Sequence, residues 1–99
     1  MAGSAVLLLF MSNWAPSSLS NIGFEFLRTD LDTALTFMNV ADSTGDAEMQ
    51  QRNHENARRA YDTVVRLKQN LSLDDTQNKE LAEKLGVLKS RLQNAGQQF

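Results

Sequence analysis

Apolar positions in residues 24–41 recur at spacings of three and four. Phe24, Leu27, Leu31, Ala34, Met38 and Ala41 fall on one face of a helix. A second apolar set, Ile22, Phe26, Phe37 and Val40, falls on nearly the opposite face at about 100° per residue. The polar strip between the two is narrow: Glu25, Arg28, Thr29, Asp32, Thr36 and Asn39. A helix that is apolar over so wide an arc needs cover on more than one side. The pattern predicts the central helix of a small bundle, with a second face that has no evident partner in residues 46–99.

Helix signals continue through the rest of the chain. Pro16 and the serines after it read as a breaker followed by capping residues, with Ser17, Ser18 and Ser20 all open as the N-cap. Gly23 costs about 1 kcal/mol against alanine in a helix and predicts close backbone contact there. Asp42-Ser43-Thr44-Gly45-Asp46 is a compact loop, with Gly45 expected as a C-cap and Asp46 as the next N-cap. Such a short loop makes the following helix antiparallel. That helix turns Met49, Ala57, Ala60, Tyr61, Val64, Val65, Leu67 and Leu71 inward. Its outer face carries three acid-then-base pairs at i, i+4: Glu48 with Arg52, Glu55 with Arg59, and Asp62 with Arg66. Asp74 and Gln77 fit a capping box for a third helix. Leu81, Leu85, Leu88 and Leu92, continued by Ala95, form its seam, and Gly86 beside them predicts a close neighbour. Gly96 ends the helix and residues 97–99 read as a loose tail. The expected fold is all-α, an antiparallel three-helix bundle with helices at about residues 20–45, 46–71 and 74–95, following the period and cap signals.

Residues 1–19 read as an apolar arm ahead of a bundle at 20–99. Ala5 to Met11 is an unbroken apolar run of seven, far short of the ~20 residues a membrane-spanning helix needs. No Lys or Arg precedes it and no small-x-small cleavage site follows, so it makes a poor signal peptide. Three readings stay open. The run packs on the exposed apolar side of the central helix, or it docks on a partner or a membrane surface, or it is an upstream extension with Met11 as the natural start. Trp14, beside Pro16, suits an anchor in any of them.

Ninety-nine residues make one small domain. The chain has no cysteine, which excludes disulfides, thiolate metal sites and cysteine nucleophiles and fits a reducing compartment, the cytoplasm. A net charge of −2 points to no polyionic partner. Its distribution is uneven: residues 1–50 carry six acids and one base, residues 51–99 nine bases and six acids. Two halves packing on each other would use that difference, and so would an external partner reading a bipolar surface.

Chemistry finds little to build on. The single histidine, His54, has Gln51 three residues before it, so the Glu-x-x-His pattern of carboxylate-bridged metal bundles is absent. No nucleophile–base set and no glycine-rich phosphate loop occurs. We expect no enzyme, no cofactor and no metal. Arg52, Arg58, Arg59, Arg66 and Lys68 are interleaved with Glu48, Glu55 and Asp62, and no aromatic residue accompanies them for base stacking, so nucleic acid is not an expected partner. Gln50, Asn53 and His54 form a polar edge near the start of the second helix. They either bond across to the first helix or form the polar part of a peptide groove.

Ala57-x-x-x-Tyr61-x-x-Val64 resembles the small–aromatic–small spacing in the second helix of a tetratricopeptide repeat. Ala34 and Phe37 lie too far ahead of it for a 34-residue period, and no second copy appears. The long helices over residues 24–95 more closely resemble the three-helix microtubule-interacting-and-trafficking domain, at the level of topology. Residues 56–64 are also similar to small bacterial helical proteins of unassigned function. The first two resemblances imply helix or peptide binding in a groove between helices. The expected function is a non-enzymatic protein–protein interaction module. It binds a helix or peptide, or associates with its own copy as a homo-oligomer, through Ile22, Phe26, Phe37 and Val40, with Trp14 as an anchor. The alternative is a membrane-surface accessory protein using residues 5–14 as its foot. That run has no flanking cations, so its attraction to anionic lipid is weak.

Overall fold

A computed structural model describes the backbone of residues 16–99 and the side chains of residues 19–99. Most of the expected arm, Trp14 included, lies outside these residues. The chain forms α1 (Pro16–Ser43), α2 (Ala47–Lys68) and α3 (Asp75–Asn94), each in contact with the other two. The described residues contain no strand. The all-α three-helix bundle read from the period is the fold observed.

α1 begins four residues earlier than expected. Pro16 opens the helix rather than breaking the chain ahead of it. Proline suits a first helical position, because its φ is preset and that position has no use for an N–H. Ser17, Ser18 and Ser20 are therefore inside the helix, and none is its N-cap. The other end also departs from expectation. The only described residue with positive φ is Gly96, so Gly45 does not act as a left-handed cap. Side chains do that work instead. Ser43 Oγ donates to the carbonyls of Asn39 and Val40, at 3.0 and 3.1 Å. Gln50 Nε2, from the first turn of α2, donates to the carbonyls of Ala41 and Thr44, at 3.1 and 3.2 Å. The polar edge of α2 thus bonds across to α1.

Both later helices start as their sequences predict. Asp46 Oδ1 accepts from the N–H groups of Glu48 and Met49, at 2.9 and 3.3 Å. Asp74 and Gln77 form the full reciprocal capping box. The Gln77 amide also donates to Asn21 Oδ1 at 2.7 Å, so the start of α3 is tied to α1.

All six residues of the first α1 stripe are buried, and so are Leu81, Leu85, Leu88 and Leu92 of α3. α2 contributes less. Ala57 and Val64 are fully buried, while Ala60, Tyr61, Val65, Leu67 and Leu71 pack at the margin. Met49, placed inward by the period, is 41% exposed, and Ala95 is exposed too. A Cβ on Gly23 would lie 2.8 and 2.9 Å from the two δ-methyls of Leu71, which is the close contact its sequence position implied. Gly86 has open space around it, so no helix approaches there.

The charge asymmetry resolves inside the fold. Asp32 pairs with Lys84, and Asp42 Oδ2 with Arg91 Nη2 at 2.7 Å, acids of α1 with bases of α3. Each such exposed pair contributes at most about 1 kcal/mol. Of the three expected pairs along α2, Glu48–Arg52 forms at 3.5 Å. Asp62 turns instead to Arg58, whose Nε lies 3.1 Å away, and Glu55 accepts from Gln51. Arg58 is also held from the tail. Its Nη1 donates to the Gln98 carbonyl at 2.6 Å and its guanidinium lies 3.8 Å from the Phe99 ring centroid.

That contact corrects the expected loose tail. Gln97 N–H bonds to the Leu92 carbonyl at 2.9 Å and Gly96 N–H to that of Gln93 at 3.0 Å. With Gly96 at φ 98°, this is a complete Schellman turn. The turn sends Phe99 back onto α2, where its ring meets Tyr61 edge-on at 5.0 Å.

Candidate functional site

The second apolar set lies on α1, and the structure separates its members. Ile22 is 51%, Phe26 58% and Val40 39% exposed. Phe37 is half-buried and packs against the core, so the expectation that it lacked a partner is corrected. The reason is angular. At 100° per residue the exposed set centres roughly 120° from the buried stripe, not opposite it, and Phe37 lies on the nearer edge. Trp14 falls outside the described residues.

Leu19 belongs to the same face and was missed. It is 54% exposed. It sits three residues before Ile22 and seven before Phe26, a helical spacing that would have identified it had α1 been started at Pro16. The face therefore reads Leu19, Ile22, Phe26, then Thr29, Asp30 and Thr33, then Phe37 and Val40. Asp30 is its only charge, and it is half-buried. Three large apolar side chains standing more than half exposed in adjacent turns make a patch that isolated surface hydrophobes do not.

The bundle end opposite the α2–α3 turn holds a second feature. A half-open cleft of about 350 Å³ lies among Met38, Ala41, Gln50, His54 and Arg91. Gln50 is committed to the Ala41 and Thr44 carbonyls and Arg91 to Asp42. Asn53 bonds within its own helix, to the Met49 carbonyl at 2.9 Å. His54 is half-buried at the rim. Gln50 and Arg91 thus serve the joint between helices, and Asn53 its own helix. Among the described residues no three His, Asp or Glu side chains are placed to hold a metal ion. No described helix is long and apolar enough to cross a membrane. One charged oxygen is poorly served: Glu80 Oε2 is buried without a hydrogen bond, with Arg28 Nη1 at 3.6 Å as its ion-pair partner.

Comparison with protein-family models, curated proteins and solved structures gave no match.

Proposed function

We propose that this chain is a non-enzymatic helical protein–protein interaction module that offers the outer face of α1 to another helix. The observation that carries the reading is the contrast within one helix. Leu27 and Leu31 are 1% and 0% exposed, while Leu19, Ile22 and Phe26 on the neighbouring face are 51–58% exposed. Covering such a side chain contributes about 1.5–3 kcal/mol at most, and association itself costs about 4–15 kcal/mol. The face supports reversible docking rather than a permanent complex. The lack of cysteine suits a reducing compartment such as the cytoplasm.

Photo-crosslinking in the source cell tests the reading, with benzoylphenylalanine placed at position 22 or 26 and, as a control, at exposed Glu83 of α3. Adducts to a protein are expected from 22 and 26 only. Equal yields from all three positions, or none from the α1 pair, would overturn it.

A further inference from the structure

The uncovered apolar surface of α1 is concentrated at one end of the helix. Leu19, Ile22 and Phe26, near its start, stand 51–58% exposed, whereas Val40 near the far end is 39% exposed and Phe37 packs against the core. Thr29 and Asp30 close the patch on the far side. The patch therefore lies next to Pro16, where residues 1–15 join the bundle. We infer that the chain's own apolar run, residues 5–11, covers Leu19, Ile22 and Phe26, and that a docking partner must displace it.

Reach selects this occupant. Leu19, Ile22 and Phe26 lie about 4.5, 9 and 15 Å along α1 from Pro16, at 1.5 Å per residue. Met11 is five residues ahead of Pro16, a tether of at most about 17 Å. The near end of the run is thus held at the level of the patch. The run itself measures about 9 Å from end to end as a helix and about 20 Å as a strand, against about 10 Å from Leu19 to Phe26. It is long enough for the patch and too short for the ~32 Å from Leu19 to Val40. Chemistry agrees with length. Ala5 to Met11 carry no polar side chain, and the first charged side chain of the chain is Glu25, so seating the run on the patch strands no charge among its own residues.

Tethering also ranks the occupants. A segment on so short a link has an effective concentration on the order of millimolar. A second copy or a foreign helix at micromolar concentration meets a patch already filled. Its apparent affinity falls in proportion to the fraction of molecules whose patch is open. The run is a built-in competitor, and it keeps docking reversible.

The inference rests on the docking reading above, and the two fail separately. The cysteine-free chain lets a single thiol report cover. Ile22 and Val87 are 51% and 53% exposed in the bundle, so I22C and V87C should react with a maleimide at similar rates where nothing covers the patch. In the full chain at low micromolar concentration, I22C should react at least about fivefold more slowly than V87C. L7N/L8N/L9N removes the centre of the run in any register and adds no charge. With cooperative urea unfolding retained, it should bring the two rates within about twofold. Protection should be the same at about 5 and about 100 µM protein, as an intramolecular cover requires. In the photo-crosslinking experiment the triple substitution should raise the adduct yield from position 26 at least about threefold. Equal rates in the full chain, or slow labelling of I22C that survives L7N/L8N/L9N, overturns the cover, even where adducts from 22 and 26 sustain the docking reading. Protection that grows with protein concentration assigns the patch to a second copy and overturns it as well. An unchanged adduct yield overturns the competition.

Discussion

Gly23→Ala is a substitution whose sign depends on one other side chain. In an open helix interior it stabilises by about 1 kcal/mol, since alanine loses less backbone freedom. Here the added Cβ would stand 2.8 and 2.9 Å from the Leu71 δ-methyls and 3.4 Å from its γ-carbon. Both methyls are too close, so the Leu71 side chain must turn or shift as a whole to admit the Cβ. Leu71 is half-buried against the core in the link after α2, and overpacking of this kind costs about 1–3 kcal/mol. The net effect of G23A is a loss of about 0–2 kcal/mol. L71A alone should cost about 1–2 kcal/mol, below the 2–5 kcal/mol typical of a fully buried leucine. In the L71A background the obstruction is gone, and G23A should stabilise by its full ~1 kcal/mol. The readout is urea unfolding followed by far-ultraviolet circular dichroism at low micromolar protein. The cycle should show a coupling of about 1–3 kcal/mol. Additivity within about 0.5 kcal/mol, with G23A stabilising the parent chain, would refute the contact.

Two further outcomes follow from the same packing. F99A should destabilise by about 1–2 kcal/mol, because it removes the edge-on contact to Tyr61 and the cation–π contact to Arg58; a midpoint unchanged in urea would mean the tail is not docked. D74A should cost about 1 kcal/mol through loss of the α3 cap, and Q77A somewhat more than a cap alone, since its amide also bonds Asn21; equal losses for the two would count against that bridge.

The core was legible because burial follows period. Phe24 to Ala41 and Leu81 to Leu92 were assigned by spacings of three and four, and each assigned residue except Ala95 is buried. The caps at Asp46 and Asp74 were legible because a cap is local chemistry between residues two or three apart. What was not legible depends on residues far apart in the chain. The tail docks because Arg58 and Gln98, 40 residues apart, come within 2.6 Å, and nothing in the local sequence of either announces it. Asp62 pairs with that same Arg58 and not with Arg66. Gly86 and Gly23 look alike as helical glycines; only the position of Leu71 separates them. On the candidate face, Ile22, Phe26 and Val40 were found by pattern. Leu19 was lost because proline both opens and stops helices, and the chain ahead of Pro16 does not say which.

The Gln50 amide has a consequence for the order in which the molecule assembles. It reaches back only six and nine residues, and the loop it closes costs little chain entropy. Contacts this short in sequence form in microseconds, well before long-range ones. On a ribosome, α1 and α2 can close their corner while α3 is still being made, leaving the side of the pair that α3 covers exposed for as long as synthesis takes. The leucine seam of α3 is then the last part to arrive, and its docking converts a hairpin into a folded domain.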